Sequence, residues 1–244
     1  MPRYVASKWR KTAVLLGSAP LAEHVPDTAK MTAAALQDRL NRYGMVYVKP
    51  DRGMHGNGVM RVESAGDGYR YQAGKRIRRF ARFGALYGSL KARTRGRRYL
   101  VQKGIHLLEY GGRKFDLRVM AQLSPSKKWE TTGIIGRVAA KNKIVTNFHG
   151  GGKIVTAETL LRAHAAQPAA KLQALAKLGA QAGAAMQRAF PGVSVIGLDI
   201  ALDRALRPYI LEVNTAPDPY IFRKHPDPRV FRKIMRYARA NAKR

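Results

Sequence analysis

Two short apolar runs near the C-terminal end of the chain carry oxygen-bearing side chains where alternation would allow a strand. They are Gly197-Leu198-Asp199-Ile200-Ala201-Leu202-Asp203 and Tyr209-Ile210-Leu211-Glu212-Val213-Asn214, joined by a polar turn through Arg204 and Pro208. Alternation predicts two strands with Glu212 and Asn214 on one face, and pairing brings Asp199 beside them. Similar short β-type runs recur upstream at Met45–Val48, Val59–Val62, Tyr99–Gln102, Phe115–Ala121 and Trp129–Val138. A helical period predicts helices over 29–43, beginning at Ala29-Lys30-Met31, and over most of 156–188 with a break near Pro168. In the latter, Leu172, Leu175, Leu178, Ala182 and Met186 form an apolar stripe that reads as core. Tyr69 to Leu90 reads as a basic hairpin arm and a helix, and Pro226 to Arg244 as a terminal basic helix. No strict βαβ alternation is present, so the pattern is α+β on antiparallel strands.

Composition narrows the chemistry. A chain of 244 residues without cysteine can hold no disulfide, thiolate nucleophile or thiolate zinc site. The apolar run Ala13–Leu16 is too short for a signal segment or a membrane span, so a soluble cytoplasmic protein is expected. The 46 basic and 15 acidic residues give a net charge of +31, and no acid occurs between Asp67 and Glu109. Such a field attracts polyanions, so the arm 70–98 is a candidate surface for an anionic polymer. Nucleic acid is a less favoured partner because no recognition motif accompanies the charge.

Burying Asp199 and Glu212 together is costly unless something neutralises them. Two carboxylates and an amide oxygen suit Mg²⁺, a hard cation that keeps phosphate oxygens in its shell. A second constellation is Lys49 at a strand end followed by Gly53, Gly56, Asn57 and Gly58. There, backbone N–H groups can lie along phosphates while the lysine adds a point charge; an ordinary hairpin with an Asn57-Gly58 turn is the alternative. Gln102 and Lys103 end a strand and can line a base pocket or be a plain strand end. Asp116 and Arg118 share a strand face, as a surface pair or as ligands of ribose and phosphate. His149, beside Asn147 in a second glycine-rich stretch, is a candidate base. Arg137 follows Gly136 in a β-type run.

Taken in order, Val48-Lys49-Pro50 with its glycine loop, Leu100–Lys103, Phe115–Arg118, Asn147–His149 and Asp199 with Glu212-Val213-Asn214 resemble the ATP-grasp superfamily. Within it the chain looks most like the spore-coat-associated YheC/YheD-type proteins, from about Ser7 to Pro219. The resemblance implies two α+β lobes with antiparallel sheets clasping a nucleotide, and a reduced N-terminal domain. It divides the chain into a short N-terminal segment (1–44), a small lobe with a glycine-rich lid (45–103) and a large lobe with the metal site and C-terminal helix (104–244).

By that resemblance, Lys49 and, as a weaker match, Lys8 hold the phosphates of ATP under the 53–58 loop. Gln102, Lys103, Gly104 and Ile105 hold adenine, and Asp116 or Glu109 the ribose. Asp199, Glu212 and Asn214 hold Mg²⁺, for which Mn²⁺ can substitute. Arg118, Arg137, Asn147 and His149 stand near phosphates and acceptor. The implied function is carboxylate–amine ligation through an acyl phosphate, with small-molecule or peptide substrates. The rivals are a non-catalytic ATP-binding coat or scaffold protein and a basic polyanion binder. One departure is Gly197, where many superfamily ligases have arginine two residues before the metal aspartate.

Overall fold

The computed structural model describes residues 4–53, 56–140 and 152–242. The chain opens with two short helices, α1 (Lys8–Leu16) and α2 (Ala19–Ala22), the first capped by the Ser7 hydroxyl, which accepts from the Arg10 N–H at 3.2 Å. Next come β1 (Thr28–Lys30), α3 (Ala33–Tyr43), β2 (Met45–Pro50), β3 (Met60–Ala65), β4 (Gly68–Ala73), β5 (Arg76–Phe80), α4 (Phe83–Thr94) and β6 (Tyr99–Lys103). The strands form one antiparallel sheet in the order β1-β6-β2-β3-β4-β5.

Alternation divides this small sheet cleanly. Val46, Val48, Met60, Val62 and Tyr71 are buried against Leu36 and Leu40 of α3 and Leu86 and Leu90 of α4. Each buried leucine contributes about 2 kcal/mol from removal of its apolar surface from water. The other face is left to Thr28, Tyr47, Lys49, Leu100 and Gln102, which are aligned by the pairings Tyr47↔Gln102, Lys49↔Leu100 and Thr28↔Gln102.

The start of the predicted helix at 29–31 is corrected. Thr28–Lys30 pairs with Leu100–Gln102 of β6 as an edge strand, and α3 begins after Thr32, whose hydroxyl accepts from the Ala35 N–H. Ala and Lys favour helix intrinsically, but an open sheet edge and a Thr cap outweigh so weak a preference.

The large lobe continues with β7 (Glu109–Tyr110), β8 (Arg113–Leu123), β9 (Trp129–Val138), β10 (Lys153–Thr156), α5 (Ala157–Arg162), α6 (Pro168–Ala189), β11 (Val195–Leu202) and β12 (Pro208–Asn214). A 3-10 turn at Tyr220–Lys224 leads to α7 (Pro228–Ala242). Its antiparallel sheet has the order β10-β9-β8-β11-β12, with β7 paired to β8. Phe115, Leu117, Val119 and Ala121 pack on the predicted α6 stripe of Leu175, Leu178, Ala182 and Met186.

The opposite sheet face carries Asp116, Arg118, Met120 and Gln122. Met120 and Ile135 are sealed there by Ile234 of α7 and by Phe222, which precedes that helix. The face is thus apolar and covered at one end, polar and open at the other. No helix among the described residues is long and apolar enough to cross a membrane.

Candidate functional site

The polar end of the large sheet is assembled by register alone. Asp199 pairs with Glu212 on one side and with Arg118 on the other, Gly197 pairs with Asn214, and Asp116 pairs with Arg137. Directly opposed residues share a face, so six polar side chains from four strands converge. A bulge between Asp199 and Ile200 shifts the register by one residue beyond the pair, so that Ile200 meets Ile210.

Salt links join these residues. Arg118 Nε donates to Asp199 Oδ1 at 2.7 Å, and Arg137 donates to both Asp116 oxygens at 2.8 and 2.5 Å. An Arg137 terminal nitrogen also stands 2.9 Å from Asp199 Oδ2. Arg137 and Asp116 are 4% and 2% exposed, so this is a buried pair rather than surface decoration. Asp116 and Arg118, adjacent on one strand face, are each bonded to a residue on a neighbouring strand: Asp116 to Arg137 and Arg118 to Asp199. Burial alone would raise the Asp199 carboxyl, but the charges of Arg118 and then Arg137 reverse this and hold it well below the usual carboxylate range. Burial likewise opposes the Arg137 charge, and Asp116 and Asp199 more than offset it.

The facing wall belongs to the small lobe and α1. Lys49 Nζ donates to Gln102 Oε1 at 2.5 Å, and the Gln102 amide donates to Thr28, fixing its orientation. Lys8 Nζ lies 2.9 Å from Glu212 Oε1 and donates to the Gly53 carbonyl at 2.8 Å. The cleft between the lobes is lined by Lys8, Thr12, Thr28, Lys49, Gln102 and Glu212. The helix that supplies Lys8 is locked to β2: Asp51 accepts from the Ser7 hydroxyl and the Trp9 N–H, and its carbonyl from the Lys8 N–H.

Two lysines here are tuned. Burial pushes the Lys49 ammonium down to about 8, against the pull of Glu212. Lys11, 4% exposed and one turn beyond Lys8, is pushed down to about 8 by burial, again opposed by Glu212. Sequence reading did not single out Lys11. Its signal was the i, i+3 spacing from Lys8, which puts both on one helix face.

The glycine loop departs from ordinary backbone where expected, with φ of 143° at Gly53, 72° at Gly56 and 78° at Gly58; Asn57 is exposed between the latter two. A Cβ at Gly58 would meet the Tyr99 hydroxyl at 2.8 Å, so only glycine fits there. Lys103 and Gly104 spend their N–H groups on the Asp27 and Met45 carbonyls, and Ile105 is 7% exposed. Glu109 is exposed on β7, its carbonyl 2.9 Å from His164 Nε2. Asn147 and His149 lie outside the described residues.

Gly197 has a local reason. A Cβ there would approach Pro217 at 2.8 Å and the Arg118 side chain at 3.4 Å. Arg118 reaches over from β8 and occupies the space a side chain at 197 would fill.

Asp199, Glu212 and Asn214 are hard oxygen donors on one sheet face, which is the donor chemistry Mg²⁺ requires. Asn214 Oδ1 accepts from the Ala216 N–H at 2.9 Å, which holds its oxygen in place. Among the described residues no cluster of three His, Cys, Asp or Glu offers a competing metal centre.

Two antiparallel α+β lobes closing on a cleft, with lysines on one wall and paired acids on the other, define an ATP-grasp fold. The chain belongs to the YheC/D-like ATP-grasp family, whose model matches residues 2–240. It is 26% identical over 231 residues to the endospore coat-associated protein YheD of Bacillus subtilis (strain 168). That match covers 91% of this chain and 50% of the relative, so the chain spans about half the relative's length. The crystal structure of the D-cycloserine synthetase DcsG superposes with a TM-score of 0.59 at 15% identity, covering 98% of this chain and 71% of that one.

Proposed function

We propose that the protein is an ATP-dependent carboxylate–amine ligase. The observation that carries the reading is the direct register of Asp199 with Glu212 across a cleft from Lys49, with Lys8 bridging the walls. A binding surface for anions has no use for opposed carboxylates; a phosphoryl-transfer site does, because they hold a divalent ion against the phosphates.

In this reading Asp199, Glu212 and Asn214 would hold Mg²⁺, which neutralises triphosphate charge when bound. Lys49 and Lys8 lie along the phosphates, and the 53–58 loop covers them with backbone N–H groups. Gln102 orients Lys49, and residues 102–105 border the base. Arg118 and Arg137 fix the Asp199 carboxylate and present positive charge to the transferring group. A substrate carboxylate oxygen attacks the γ-phosphorus and ADP leaves. An amine then attacks the acyl carbon of the acyl phosphate, expelling phosphate and losing a proton as the amide forms.

The test is phosphate release from Mg·ATP against pooled amino acids, acidic peptides and cell-wall precursors. Release that depends on both a carboxylate and an amine supports ligation. The coat-associated relative favours a second reading, an ATP-binding coat component without turnover. Calorimetric ATP binding with no phosphate release across the whole panel would decide for it.

A further inference from the structure

A second cavity opens on the other face of the small sheet. Its volume is about 820 Å³, and four arginines line it: Arg78 from β5, Arg93 from α4, and Arg95 and Arg97 from the connection to β6. The pairings Pro50↔Tyr99 and Tyr71↔Arg78 put its floor, Tyr99 and Tyr71, on the helix-covered side, whereas Lys49 faces the nucleotide cleft. The two sites are back to back.

Two of the guanidiniums, those of Arg78 and Arg97, are held by neutral groups. Arg78 donates to the Ser89 hydroxyl at 3.3 Å, Ser89 and Tyr71 share a hydrogen bond of 3.2 Å, and Arg97 donates to the Tyr99 hydroxyl at 3.3 Å. Among the described residues none of the four meets a carboxylate. The chain supplies none nearby, since 68–108 contains no acid. Arg95 ends α4 in the left-handed region at φ 49°, a position helices usually give to glycine. Holding an arginine there costs of order 1 kcal/mol, and the residue lines the cavity.

We propose that this pocket binds a condensed phosphate, an anion carrying two or more linked phosphates, free or borne on a nucleotide. Four positive charges around one cavity call for a comparable count of negative ones, which a tripolyphosphate supplies within one small ligand. Planar guanidinium forks match phosphate oxygens two at a time. The cavity also touches Gly58 of the glycine loop, but none of its four arginines lines the nucleotide cleft, so the inference does not rest on the ligase reading.

The experiment is calorimetric titration of tripolyphosphate into the full chain carrying Lys49→Met, which cripples the cleft and leaves the pocket intact. Adding Arg93→Gln and Arg97→Gln should weaken binding by about tenfold or more. Adding Arg232→Gln and Arg239→Gln instead, an equal charge loss on exposed positions of α7, should change it by less than about twofold. All four arginines are exposed, and circular dichroism melts verify folding. An ADP arm separates sources: pocket-dependent ADP binding identifies a nucleotide, and its absence identifies the free polyanion. Equal weakening by both pairs, or no effect of Arg93 and Arg97, overturns the proposal. So does pocket-dependent binding of a DNA duplex without binding of tripolyphosphate.

Discussion

Lys8 Nζ sits 2.9 Å from Glu212 Oε1, joining the first helix to the last strand across the cleft. Glu212→Gln should therefore abolish Mg·ATP turnover while costing about 1 kcal/mol of stability, since the pair is partly exposed. Phosphate release and a urea melt measure the two effects separately. Full turnover in the variant would sink the ligase reading.

Arg137 serves two buried carboxylates at once. Arg137→Ala removes the buried cation bonded to Asp116 and should cost about 3–5 kcal/mol, the range for removing one partner of a buried pair. Pairing it with Asp116→Leu should recover part of that loss, because no buried charge remains at 116. Chemical denaturation of the three proteins checks the ordering.

The depressed pKa of Lys49 makes nucleotide binding proton-linked. Near pH 8 about half of the free protein lacks this proton, and phosphate oxygens favour the ammonium, so binding takes up about half a proton there. Uptake should fade toward pH 6.5, where the lysine is already charged. Calorimetry in buffers of different ionisation enthalpy reads the proton count, and Lys49→Met should remove most of it. The stability sign is the reverse of a salt bridge. Folding disfavours the charged form, so the penalty is complete below about 8 and disappears as pH rises toward 10.5. Lys49→Met should accordingly melt higher than the parent at pH 7.

Gly197→Ala should cost about 1–3 kcal/mol and lower nucleotide affinity, since its Cβ would press on Pro217 and the Arg118 side chain. An unchanged melting temperature would mean that Pro217 yields freely.

Much of this arrangement was readable before any coordinates. Alternation in 115–121, 197–203 and 209–214 marks the strands, and a hairpin through the turn at 203–208 brings Asp199 beside Glu212. The helical stripe from Leu172 to Met186 packs as its period required. What stayed hidden depends on distant pairing. Thr28–Lys30 carries no strand signal of its own and becomes one only because β6 offers an edge. Asp116 reads as a partner for Arg118 two positions away, yet sheet register delivers Arg137 from the next strand. Lys11 becomes unusual only when the cleft buries it, a property no local pattern announces.

The acids of the cleft arrive with counter-charges already in place: guanidiniums on Asp199 and an ammonium on Glu212. Such a site behaves as a small ion exchanger. A cation that enters shares these carboxylates with protein side chains, so loading adjusts existing partners without creating charge balance from nothing. Stripping the ion with a chelator should therefore leave the empty protein folded, its melting temperature lowered only by the binding free energy that is lost.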